Sequence, residues 1–207
     1  MVNVYVYVME TMADWELAHV MAELHSKRFF KKDAKEITVK TVGVTKNAVR
    51  SMGGLSITPD LTLDEMEVSS ENVLLLPGAD TWSDSANFAV IGKAKEMLEV
   101  GGLVTAICGA TVALAMAGML DERPHTSNGV GFLDMFCPEY KGAKYYVNVP
   151  AVRNGNLITA AGSAGLFCAK TVLEYLDVFQ TDTLEHWYAY FSTGNAGEFF
   201  AMMQTLA

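Results

Sequence analysis

The stretch Leu103-Val104-Thr105-Ala106-Ile107-Cys108-Gly109-Ala110-Thr111 decides how the rest of the chain is read. Its first five residues form a short run that is apolar on both faces, as in a strand buried inside a parallel sheet. A cysteine follows, then small residues, then a segment of helical composition from Ala110 to Met119. A nucleophile elbow needs this order. A sharp turn lifts the side chain above the sheet, and small neighbours avoid a clash. The N-terminus of the next helix favours a thiolate, and backbone N–H groups there can hold an oxyanion. A buried, inert thiol fits the same spacing, so spacing alone leaves both readings open.

Working outward, Val73-Leu74-Leu75-Leu76 is a second doubly apolar run, and it enters a loop at Pro77-Gly78. Val2–Val8, Ile37–Val42 and Leu157–Ala160 also read as strands. Leu17, Val20, Met21 and Leu24 recur at helical steps and predict a helix from about Trp15 to Arg28, with Asp14 as a candidate cap. Phe88–Val100 predicts a helix ended by Gly101-Gly102, and Ser163–Leu176 predicts another. Arg50–Thr58, with Gly53-Gly54 inside, reads as a hairpin or crossover. Aromatic-rich helical segments run from Asp182 to Leu206, broken near Gly194 and Gly197. Strands alternate with helices, so the fold class is α/β with a mainly parallel sheet covered on both faces. The length of 207 residues suits one domain, 1–207, with a helical extension at about 181–207.

Composition narrows the function. Fifteen Lys+Arg against 24 Asp+Glu give a net charge of −9, which opposes a nucleic-acid surface. The one basic run, Lys27, Arg28, Lys31, Lys32 and Lys35, is interrupted by Phe29 and Phe30 and reads as a helix end. Cys108, Cys137 and Cys168 are too few and too scattered for a disulfide framework or a zinc site. No apolar run approaches 18 residues, and Met1–Val8 lacks a basic leader. The expectation is a soluble cytoplasmic protein with no membrane partner. Neither GxGxxG nor GxxxxGK[ST] is present, so a dinucleotide or P-loop site loses its main support.

Open parallel sheets bind ligands at the carboxyl ends of their strands. Three such ends carry informative residues: Glu10–Glu16, Pro77–Asp80 and Cys108-Gly109. Six stretches then make the chain recognisable. They are the opening strand with Ala13-Asp14-Trp15-Glu16, Gly53-Gly54, Leu74–Ala79, Ala106–Thr111, Ala117–Asp121 through Thr126-Ser127-Asn128, and Thr159–Gly162. In this order they resemble the DJ-1/PfpI family, within the class I glutamine-amidotransferase-like folds.

The resemblance implies a three-layer, flavodoxin-like α/β/α sandwich and a homodimer, with no cofactor and no metal. It implies Cys108 at the elbow and Glu16 against its sulfur. It also implies backbone from Gly78, Ala79 and Gly109 near the thiol. The chain departs from the family where many relatives place a histidine. Gly109 follows the cysteine directly, and Asn128 ends the Thr126-Ser127-Asn128 segment. Asparagine cannot accept a proton near neutral pH. His125 remains a candidate acid–base group, although strand parity turns it away from position 128. Asp80, Trp82, Phe132 and Asn128 are candidate pocket residues. Glu185-His186 lacks the spacing of a His-x-Glu pair and reads as part of a tail helix.

The family resemblance implies an intracellular cysteine-dependent hydrolase, protease- or amidase-like, acting on a small molecule or peptide. Three other readings stay open. One is a redox or electrophile sensor in the stress response, which needs no general base. Another is a dicarbonyl-detoxifying, glyoxalase- or deglycase-like enzyme using Glu16 or His125. The last is a non-enzymatic interaction module that docks through Phe191, Phe199, Phe200 and Met202.

Overall fold

The computed structural model describes residues 1–206. In chain order the elements are β1 (Val2–Tyr7), α1 (Ala18–Ser26), β2 (Ile37–Gly43), β3 (Val49–Arg50), β4 (Ser56–Ile57), β5 (Leu61–Thr62), β6 (Val73–Leu76), α2 (Phe88–Glu99), β7 (Leu103–Ile107), α3 (Gly109–Met116), α4 (Phe132–Phe136), β8 (Ala151–Asn154), β9 (Leu157–Ala160), α5 (Gly165–Leu176), α6 (Thr181–Thr193) and α7 (Ala196–Gln204). Seven strands form one sheet in the order β5-β2-β1-β6-β7-β9-β8. Every pair is parallel except β8–β9. Helices α1 and α5 cover one face, and α2 and α3 cover the other. This is the expected α/β sandwich. The runs Val73–Leu76 and Leu103–Ile107 are buried at every position because both of their faces meet helices.

The chain leaves β1 toward β2 on one side, and β6 pairs on the other. The sheet therefore has its switch point at β1/β6, and a crevice opens at the carboxyl ends of β1, β6 and β7. Residues Glu10–Glu16, Pro77–Asp80 and Cys108 all follow those ends.

The structure corrects the start of α1. The helix begins at Ala18 rather than Trp15, and Asp14 does not cap it. Instead the Asp14 carboxylate accepts the Gly53 N–H at 2.6 Å. This ties the turn after β1 to the antiparallel β3–β4 hairpin. The approach is so close that a Cβ on Gly53 would lie 2.7 Å from Asp14 Oδ2.

The tail is also corrected. Gly194 ends α6 with a left-handed turn, but Gly197 lies inside α7, which Asn195 caps. Trp187 of α6 is fully buried, and its indole N–H donates to Glu23 of α1 at 3.0 Å. Arg28 binds the same carboxylate. Phe179 stands edge-on to both Phe29 and Trp187. Met202 is buried too, while Phe191, Phe199 and Phe200 keep exposed surface. Helix α6 thus completes the layer begun by α1 and α5.

The basic run is largely paired with carboxylates. Lys27 pairs with Glu36, Lys31 with Asp177 and Lys35 with Glu71. No described helix is long and apolar enough to cross a membrane.

Candidate active site

Cys108 ends β7 and begins α3 with φ 57° and ψ −122°. A side chain is rarely held in this region, and doing so costs on the order of 1–3 kcal/mol. Surrounding bonds enforce the conformation. The Cys108 N–H donates to Ala160 O at 3.0 Å. Its carbonyl accepts from the Thr111 N–H at 3.1 Å and from Thr111 Oγ1 at 2.6 Å. Thr111 Oγ1 in turn lies 2.6 Å from Ser127 Oγ.

Glu16 approaches from the turn before α1 and is 1% exposed. It stands two residues ahead of the helix rather than within it, so no helix dipole accounts for it. Its Oε2 accepts the Gly78 N–H at 2.5 Å, while Oε1 is buried with no partner other than the Cys108 thiol. Two glycines make the approach of carboxyl and sulfur possible. A Cβ on Gly78 would fall 2.7 Å from Cys108 Cβ and 2.8 Å from both Glu16 oxygens. A Cβ on Gly162 would fall 3.0 Å from both Cys108 Sγ and Glu16 Oε1. Gly162→Ala is therefore expected to cost about 1–3 kcal/mol by overpacking. A urea titration checks this, and an unchanged midpoint would show that the pair has room to spare.

Burial pushes the Glu16 carboxyl above its usual range, against the opposing pull of the Gly78 N–H. Burial also pushes the Cys108 thiol up, the nearby Glu16 charge adds to this, and hydrogen bonds from Asn128 and the Gly109 N–H oppose it. The expected lowering by the helix N-terminus is thus outweighed by desolvation. Burial thus biases both groups toward their protonated forms, and they titrate as a coupled pair. When the pair holds one proton, a proton on the buried Oε1 can be donated to a thiolate, and Asn128 Nδ2 at 3.2 Å from the sulfur supplies a second donor.

Asn128 is held for that role. Its Oδ1 accepts the Gly162 N–H at 2.8 Å. It does not line the cavity beside Cys108, whereas Asp80, Trp82 and Phe132 do. The Gly78 N–H is taken by Glu16 and cannot also serve an oxyanion. The N–H groups of Ala79 and Gly109 donate to no backbone or side-chain oxygen among the described residues. Ala79 does not adopt a positive φ, so its methyl is carried without backbone strain.

His125 is fully buried. Its Nδ1 lies 2.7 Å from Arg123 O, which can only accept, so Nδ1 carries the hydrogen and Nε2 accepts from the Tyr140 hydroxyl. Burial lowers the imidazole pKa and pushes Tyr140 up to about 12. With both nitrogens occupied, His125 is a structural group and serves no proton at Cys108. The other thiols are placed equally clearly. Cys137 caps α4 and is buried, and burial pushes Cys168 up to about 12. His186 pairs with Glu198 and Glu185 with Lys170, away from the crevice. Sequence reasoning missed the two backbone contributions of Gly162, which also accepts from the Trp15 indole at 3.1 Å. Only the glycine's place after a strand hinted at them. Among the described residues no group of three His, Cys, Asp or Glu could hold a metal ion.

Comparison with known proteins places this geometry among relatives. The DJ-1/PfpI family profile matches residues 2–174. A Bacillus subtilis (strain 168) protein named "Uncharacterized protease YoaZ" is 45% identical over 204 residues, covering 99% of this chain and 97% of that one. The crystal structure of a thiJ/pfpI family protein from Bacillus anthracis superposes with a TM-score of 0.96 at 44% identity, covering 100% of this chain and 98% of that one. A Caenorhabditis elegans protein named "Glutathione-independent glyoxalase DJR-1.2" is 30% identical over 88 residues, 42% of this chain and 47% of that one.

Proposed function

This chain belongs to the DJ-1/PfpI family, and we propose that it is a cysteine-dependent hydrolase of the protease or amidase type with Cys108 as nucleophile and Glu16 as its acid–base partner. The observation that carries this reading is the pairing of a strained, half-buried Cys108 with a buried carboxyl whose Oε1 has no other partner. A general base is what a thiol nucleophile otherwise lacks here, since no histidine adjoins it. The relative named as a protease supports the same class.

The steps balance on these residues alone. The Cys108 thiol gives its proton to Glu16 and its sulfur attacks the carbonyl carbon. The oxyanion accepts from the N–H groups of Ala79 and Gly109. As the tetrahedral intermediate collapses, Glu16 returns the proton to the leaving amine or alcohol and a thioester remains. Water then attacks the thioester and gives a proton to Glu16, which restores the Cys108 thiol as the acid departs.

An activated aryl ester tests this. Intact mass after a short incubation should show one acyl group, mapped to Cys108 and absent from Cys137 and Cys168, with release of the acid on standing. Phenol release without any acyl adduct or Cys108 dependence would exclude the reading.

A second reading rests on a different observation. Cys108 is the only one of the three cysteines with solvent access, which favours selective, reversible oxidation at this site. Mild peroxide should then oxidise Cys108 ahead of the other two by peptide mapping. Equal oxidation of all three would dismiss it.

A further inference from the structure

A cavity of about 430 Å³ opens beside Cys108 between the 79–83 loop, α3 and α4. That volume lies in the range of pockets that bury most of a drug-sized ligand, far larger than a three-carbon dicarbonyl needs. Its walls are Trp82, Val112, Met116, Phe132 and Phe136, and apart from Cys108 itself the only ionisable side chain lining it is Asp80. No lysine, arginine or histidine reaches it.

The walls are fixed in place. The Trp82 indole N–H donates to Pro77 O at 2.9 Å, and the Phe132 and Phe136 rings are 4.8 Å apart. Gly109 shapes the floor beside the nucleophile. A Cβ there would lie 3.1 Å from both Trp82 Cδ1 and Ala79 O, so any side chain at position 109 would press on the tryptophan. Met116 and Phe136 keep about half of their surface exposed, at 55% and 51%. Apolar walls gain by covering an apolar group, while a lone carboxylate at the rim repels an anion.

We infer that this cavity is a specificity pocket for a bulky apolar group, aromatic or branched, on an uncharged or cationic substrate, and that it excludes anionic ones. The inference deepens the hydrolase reading by naming its substrate class. It requires only that Cys108 be the reacting atom at the pocket's edge.

Alkylation separates the two, because it needs a thiolate and a pocket but no turnover. Rates of Cys108 modification are measured with iodoacetate, iodoacetamide and N-benzyl-iodoacetamide. In each case the thiolate displaces iodide, and each rate is divided by that for glutathione. The normalised benzyl reagent should outpace iodoacetamide by about tenfold or more, and iodoacetate should lag it by a similar factor. Val112→Trp should abolish the benzyl preference by filling the pocket. Met116→Lys, at an exposed position that tolerates change, should raise iodoacetate relative to iodoacetamide. Equal normalised rates, or no modification of Cys108 by any reagent, would overturn the inference. A preserved benzyl preference with no ester turnover would leave the pocket standing and remove the hydrolase reading.

Discussion

Glu16→Gln is expected to lower turnover by about 10²- to 10⁴-fold, the usual span for loss of a general acid–base group. Glutamine keeps the shape and can still accept the Gly78 N–H through its carbonyl oxygen. It cannot take the thiol proton or hand it to a leaving group. Nothing nearby replaces it, because His125 is tied to Arg123 and Tyr140, and Asn128 has no basic nitrogen. The same variant should gain stability. Burial raises the folded Glu16 pKa above its unfolded value. The stability this group contributes is therefore complete below the unfolded pKa and is lost as pH rises through the folded one. Removing the ionisable group removes that loss. Glu16→Gln should melt above wild type at pH 8, and the gap should close toward pH 4. Lower turnover with higher melting temperature identifies a group retained for chemistry. Unchanged turnover would remove Glu16 from the mechanism.

Trp187→Ala is expected to destabilise the fold by about 3–5 kcal/mol, the range for deleting a large buried aromatic side chain. In a chain of this size that corresponds to a fall in melting temperature of about 6–20 °C. The indole fills the space between α6, α1 and Phe179, and its N–H serves the buried Glu23 carboxylate beside Arg28. Truncation leaves a void and removes one donor from a buried charge, so two penalties combine. Trp187→Phe keeps most of the volume and loses only the donor, and it should cost clearly less. Denaturant midpoints for the pair measure both parts. A loss below about 1 kcal/mol for Trp187→Ala would mean that α6 and α7 are an appendage on an independent core.

The central architecture was legible because its signals are local. Val73–Leu76 and Leu103–Ile107 are buried on both faces, and their composition says so without reference to any partner. The elbow was legible for the same reason, since strand, cysteine and small residues are contiguous in the chain. What escaped depends on contacts between distant segments. Asp14 looks like a helix cap, yet it serves Gly53, 39 residues away. Strand parity gave His125 a facing, but that residue makes only an isolated bridge to Tyr146, and its fate is set by Tyr140. The tail reads as an addition because its anchors join distant segments, such as Glu23 and Trp187, 164 residues apart, and His19 and Phe191. Cys108 and Glu16 came together in the reading through family resemblance. No spacing in the chain brings residues 92 positions apart to one sulfur.

The shared proton between Cys108 and Glu16 is tested most directly by the pH dependence of Cys108 alkylation with iodoacetamide, in wild type and Glu16→Gln. Two steps are expected in wild type. The lower lies above the ordinary carboxylate range and yields a partial rate from the thiolate form of the singly protonated pair. The upper lies above the free-thiol value of about 8.5, where the last proton leaves. Glu16→Gln should show one step only. Identical single-step curves for the two proteins would contradict the pairing and leave Cys108 without a proton partner.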